Sequence, residues 1–223
     1  MGNRQRIIDA AVELMNISGS AVGTSQLTEH LSISPGNLYY HFRNREEILL
    51  EVLARLQADL DQSLELNPGE VLDAARLAQC FIGGAHVLWQ YRFFFSSTLE
   101  LVIKDAQLSQ RYRDFSRRGT DQVDRILKKT FKVAAGTIKL KAAERRQLSE
   151  NMWVLWTSWP RYIEVIKGRE TGAEEITRSY KQLTFLLKPY VSSAFFTEVI
   201  RIENQMRRKA LPVHTPAGVL KLD

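Results

Sequence analysis

The chain has 223 residues, 44% hydrophobic and 25% charged, with a formal net charge of +6. That length accommodates one sizeable core and a smaller satellite, so one or two domains are expected. The lone cysteine, Cys80, excludes an internal disulfide, and no stretch is apolar for long enough to read as a membrane span or a secretory signal, so a cytoplasmic protein with no membrane partner is expected.

In chain order, Ile7, Ala11, Leu14 and Met15 recur at helical spacing, and Gly19 stops the pattern. This predicts a first helix near 4–17. A second is expected over 25–31, with Thr24 or Ser25 as its N-cap and Leu27 and Leu31 on one face. After the short turn at Ser32-Ile33, Ser34 caps a third helix whose first position is Pro35, where a missing N–H does no harm. Asn44 caps a fourth, and Glu47 stands three residues on, the spacing of a capping box. Helix, short turn, helix within some twenty residues outlines a helix-turn-helix.

The third helix carries an unusual set of side chains. Advancing about 100° per residue, Leu38 and Phe42 fall about 40° apart and define a buried side. Gly36, Asn37 and Tyr40 fall on the opposite side, with Tyr39 and His41 on the flanks. Taken singly, a tyrosine or histidine on a short helix is as often half-buried packing. Together they suit a major groove. An asparagine pairs with adenine through two hydrogen bonds, a glycine permits close backbone approach, and a tyrosine donates to phosphate or packs on a thymine methyl. Bulk charge does not make this case. Residues 1–50 hold Arg4, Arg6, Arg43 and Arg45 against Asp9, Glu13, Glu29, Glu46 and Glu47, and the basic excess lies in 104–146.

The stretches "RIIDAAVELMNISG" and "TSQLTEHLSISPGNLYYHFRNREEIL", and above all Leu38-Tyr39-Tyr40-His41-Phe42 followed by a basic residue, resemble the DNA-binding domain of the TetR family of bacterial regulators over about residues 5–53. The resemblance implies an all-α homodimer, with an N-terminal three-helix DNA-binding domain of helix-turn-helix type and a C-terminal helical ligand-binding and dimerisation domain. Such a protein represses transcription on double-stranded operator DNA and releases it when a small-molecule effector binds. It also implies roles by position. Tyr39 and His41 match phosphate-contacting positions, as do Thr24 and Ser25 at the start of the second helix. Arg45 matches a phosphate-contacting lysine, where the helix's positive end assists. Gly36, Asn37 and Tyr40 match base-reading positions, and Ser34 lies beside them at the cap. Thr28 replaces a usual alanine and Ser32 a usual glycine, which strains the turn slightly. The expected division is 1–48 for DNA binding, 49–210 for regulation and dimerisation, and 211–223 as a loose tail.

The rest of the chain predicts helices near 46–65, 70–91, 93–103, 106–134, 143–167 and 173–188, with Pro189 ending the last and a further amphipathic piece around Phe195 to Met206. Two aromatic clusters stand out: Trp153, Trp156 and Trp159 recur every three residues, and Trp89 precedes Phe93 closely. They are read either as core or dimer seam, or as the lining of an apolar effector pocket between helices. The resemblance pairs helices 143–167 and 173–188 with their mates across the dimer, and Ile176, Tyr180, Leu183 and Leu187 form a suitable stripe. The basic run "RRGTDQVDRILKKTFK" reads as a solvated helix face.

Catalysis finds little support. His30, His41, His86 and His214 are scattered, and no phosphate-cradling loop or nucleophile motif is present. No metal, cofactor or catalytic residue is expected. Two rival classes stay open, a helical-bundle enzyme and an architectural DNA-binding protein that ignores ligands. Operator footprinting separates the regulator from the first, and ligand-dependent release separates it from the second.

Overall fold

The computed structural model describes residues 2–168 and 172–209; the expected loose tail at 211–223 lies outside them. Helix α1 (Asn3–Ser18) buries Ile7, Ile8, Ala11 and Met15 and ends at Gly19, whose φ of 85° lets its N–H turn back to the Met15 carbonyl. Helix α2 (Thr24–Leu31) starts one residue earlier than the sequence suggests. Its cap is Gly23, whose N–H donates to Gln26 Oε1 at 2.9 Å, so Thr24 and Ser25 lie in the first turn. Ser32 then turns the chain in the left-handed conformation, φ 52°. Helix α3 (Pro35–His41) is capped as expected: Ser34 Oγ accepts from the Asn37 N–H at 3.2 Å. At the start of α4 (Arg45–Ser63), Asn44 Oδ1 accepts from the Glu47 N–H at 2.9 Å, while Glu47 reaches back to the Arg43 N–H rather than to that of Asn44.

Leu27, Leu38, Phe42 and Ile48 join the apolar face of α1 to close the core of this head. Helix α4 runs unbroken through the boundary expected at 48–49 and carries its buried face, Val52, Leu53, Leu56 and Leu60, into the body. Helix α5 (Ala74–Gln90) begins only at Asp73, whose carboxylate accepts from the Arg76 N–H at 2.8 Å; the preceding residues form a loop that Gly69 turns at φ 80°.

The helix expected over 93–103 is two short ones, α6 (Arg92–Ser96) and α7 (Thr98–Lys104). Phe93, Phe94 and Phe95 are all buried. Three consecutive residues of one straight helix point about 100° apart, so burying all three requires the chain to dive into the core and turn out again. Long helices α8 (Ala106–Ala134) and α9 (Ala142–Lys167) pack on each other, and α10 (Ala173–Leu187) and α11 (Ser193–Lys209) complete the body.

The three tryptophans of α9 fan into three different neighbours. Gly119 of α8 gives way to Trp153, because a Cβ there would stand 2.1 Å from the indole. Gly84 of α5 does the same for Trp156, at 2.3 Å. Trp159 donates from Nε1 to the Glu175 carbonyl of α10 at 3.2 Å. These contacts hold α9 at the centre of the body, and each depends on a residue far away in sequence.

Candidate DNA-binding surface

The cap, the proline and the buried root make α3 a short rigid peg. Leu38 is fully buried at its middle and Phe42 at its end. The opposite side stands clear: Tyr40 is 86% exposed and Tyr39 53%. Gly36 is exposed beside Tyr40, with Asn37 half-buried next to it, its Oδ1 accepting from Asn3 Nδ2 at 3.4 Å. The rings of Tyr40 and His41 meet edge to face with centroids 5.0 Å apart, which fixes His41 on the flank. Ser25 and Ser34 are exposed and Thr24 is half-buried.

Arg45 stands at the start of α4 as expected, and it is also engaged within the protein. Its Nε donates to the Val22 carbonyl at 2.9 Å and its Nη2 to the Ser20 carbonyl, so the guanidinium clamps the α1–α2 turn to the start of α4. The two N–H groups of Nη1 and the second of Nη2 are left for an outside partner. Ser20 in turn donates to Glu100 of α7 at 3.0 Å, joining head to body. Two residues escaped the sequence reading. Arg43 is exposed directly after α3, and Asn3 reaches the α3 face from α1. Arg43 stood in the quoted motif as its basic residue; nothing local marks Asn3.

A second junction lies deeper. The Tyr91 hydroxyl, at the end of α5, donates to Asp59 of α4, and Arg55 of α4 bonds Asp9 of α1. Burial and the Asp59 carboxylate push the Tyr91 phenol well above its ordinary range, so it stays a donor. The DNA-reading head is thus fastened to the body by polar groups as well as apolar packing.

The aromatic residues expected to line an effector pocket lie in the core. Trp89, Phe93, Trp153, Trp156 and Trp159 are all buried, and the indoles of Trp153 and Trp156 fill the space two glycines leave. Beside Trp89 and Phe93 there is a cavity of about 10 Å³, room for one water at most. The proposed dimer stripe is also misplaced. Ile176, Tyr180, Leu183 and Leu187 are each at most 3% exposed, spent on packing α10 within its own protomer. Exposed apolar side chains of the last long helices are Val154, Tyr162, Val165 and Ile166 on α9 and Phe185 on α10. Among the described residues no group of His, Cys, Asp or Glu is placed to hold a metal, and no helix is long and apolar enough to cross a membrane.

A capped three-helix head that presents one short polar-faced helix, set on a larger helical body, defines a helix-turn-helix DNA-binding regulator. Comparison with known proteins gives the family. The model described as bacterial regulatory proteins, tetR family, matches residues 7–52, and the one described as bacterial transcriptional repressor matches 55–199. The chain belongs to the TetR family of bacterial transcriptional regulators.

The tetracycline repressor protein class D of Escherichia coli is 40% identical over 58 residues, which are 24% of this chain and 27% of that repressor. This chain therefore spans about a quarter of the length of the curated relative it matches. A TetR-family transcriptional regulator from Marinobacter aquaeolei VT8 is similar throughout. Its crystal structure has a TM-score of 0.81 and 27% identity, covering 92% of this chain and 98% of that one. SmeT, the repressor of the Stenotrophomonas maltophilia multidrug efflux pump SmeDEF, shares the fold at 16% identity, with a TM-score of 0.62 over 87% of this chain and 93% of its own.

Proposed function

We propose that this chain works as a homodimeric repressor that reads a near-palindromic operator with α3 and leaves it when an effector binds the helical body. The observation that carries the reading is Tyr40, a large aromatic residue 86% exposed on a helix whose opposite side is rooted by Leu38. With Tyr39 beside it, 53% exposed, Tyr40 makes a polar-tipped aromatic surface suited to a base edge and the flanking phosphate. In this reading Gly36, Asn37 and Tyr40 meet base edges. Tyr39, His41, Ser34, Thr24 and Ser25 hold phosphates, and Arg43 adds a charge at the corner. Arg45 fixes the turn that presents α2 and keeps three of its five N–H groups for phosphate.

One α3 reads too few base pairs for useful discrimination, so two must act together, with centres about 34–36 Å apart or a multiple of that. On α9, Val154, Ser158, Tyr162 and Val165 lie at spacings of four, four and three, one face of a helix, and all are exposed. This is the face offered to a second copy. The buried α10 stripe serves the protomer.

Selection from a random duplex library is the direct test. Recovery of an inverted repeat with half-sites one helical turn or a multiple apart supports the reading, and retention without sequence preference refutes it. Placing the seam on α9 is tested by sedimentation. Val165→Asp is expected to yield folded monomers, and an unaltered dimer moves the interface elsewhere.

A further inference from the structure

A groove of about 620 Å³ opens between the far end of α4, with the loop behind it, and one face of α8. Arg125, Lys128, Lys129 and Lys132 line the α8 wall, and Leu66 contributes apolar surface opposite. These are the cations of the run that reads, in sequence, as a solvated face.

Their neighbours are treated differently. Asp121 and Asp124 of α8 are taken by Arg146 and Arg145 of α9, and Arg117 pairs with Asp114. Among the described residues no carboxylate lies within ion-pair range of Arg125, Lys128 or Lys132. Their spacing of three and four residues along α8 stacks like charges on one face, which opposes the helix. Two carboxylates, Asp61 and Glu65, also line the groove. Asp61 Oδ1 already accepts from Gln57 at 2.8 Å and from Gln122 at 2.5 Å, and Glu65 is exposed.

Two further features mark the groove as a built site. Lys129 does not wave in solvent; its Nζ donates to the carbonyls of Asn67 and Glu70 at 3.1 and 3.3 Å, which fixes the loop against α8. Gln122, only 8% exposed, lines the groove, and its Oε1 has no donor. A buried acceptor without a partner calls for one.

From this geometry we infer that the groove binds a small organic anion. A carboxylate or phosphate sits among Arg125, Lys128 and Lys132, a ligand hydroxyl or amine donates to Gln122 Oε1, and an apolar portion lies on Leu66. This deepens the effector reading above and rests on it only for the consequence. Helix α4 runs from this groove to Arg45 at the edge of the reading head, so a ligand that draws α8 and α4 together biases the head's position.

The test is equilibrium dialysis of the full chain against inorganic phosphate, citrate and salicylate, with neutral salicylamide as control. At least one anion is expected to bind saturably, while salicylamide does not. The triple variant R125Q/K128Q/K132Q should weaken that binding by about tenfold or more, as for lost charge-assisted hydrogen bonds. A matched variant, R111Q/R113Q/R118Q, removes equal charge elsewhere on α8 and should bind as the unaltered chain does. Absence of saturable binding by all three anions, or equal loss in both triple variants, overturns the inference. Operator affinity is read separately. An anion that fills the groove without weakening operator binding establishes the site and sinks the effector reading.

Discussion

Arg45, the first residue of α4, donates from its guanidinium to the carbonyl of Ser20, and a second N–H of the same group holds Val22. A lysine offers one nitrogen in place of the separated Nε and Nη2, so it does not reproduce this fork's geometry. Arg45→Lys is therefore expected to lower stability by about 1–3 kcal/mol, the scale of a lost charged hydrogen bond, in a denaturant melt. Because lysine keeps the positive charge, the slope of log affinity against log salt should change by less than the roughly 0.9 expected for one lost phosphate contact.

Ser32 carries the turn between α2 and α3 at φ 52°, where a Cβ is unfavourable. Ser32→Gly is expected to stabilise the head by roughly 0.5–1 kcal/mol, the relief offset partly by the greater freedom of an unfolded glycine. A melting temperature that falls on this substitution contradicts the strained-turn account.

Gly119 leaves no room for a Cβ beside the Trp153 ring. Gly119→Ala should cost about 1–3 kcal/mol through overpacking between α8 and α9. The smaller ring of Trp153→Phe in the same chain should recover part of the loss. A double variant no more stable than the sum of the two single losses would mean that the clash is relieved elsewhere.

Glu203 of α11 is buried, with Thr184 donating to one oxygen and nothing reaching the other. Burial pushes its carboxyl up to about 7 from an ordinary 4.5. The protonated acid fits the fold better than the unfolded chain. Its contribution is complete below pH 4.5 and is lost as pH rises through 7, at most about 3 kcal/mol. Chemical melts from pH 5 to 8 should show falling stability, and Glu203→Gln should flatten that fall. Stability that rises over this range in the unaltered chain, but not in the variant, would reverse the sign assigned to Glu203.

What the sequence carried was local. Ser34, Pro35 and Asn44 announce the ends of α3 and α4 within a few residues, and the caps are found there. The alternation of Leu38 and Phe42 with polar neighbours gives the buried side of α3 without knowing what it packs against. The body resisted for the opposite reason. Trp153, Trp156 and Trp159 announce burial, but whether they line a cavity depends on Gly119 and Gly84, which are 34 and 72 residues away. The stripe Ile176, Tyr180, Leu183, Leu187 likewise shows that one face of α10 is covered, and periodicity cannot distinguish cover by its own protomer from cover by a second copy. That Arg45 also clamps the α1–α2 turn is not legible, because nothing near it in sequence reveals those carbonyls.

The central claim is that α3 is the reading element, with bases met by one face and phosphates by its flanks. Binding isotherms over a salt series, on the selected operator and on scrambled duplex, test it most directly. Asn37→Ala and Tyr40→Ala should each cost roughly 1–3 kcal/mol on the operator and little on scrambled DNA, narrowing the ratio between them. Tyr39→Phe and His41→Ala should weaken both duplexes alike. Unchanged operator preference in Asn37→Ala and Tyr40→Ala, with full affinity kept in Tyr39→Phe, contradicts the account.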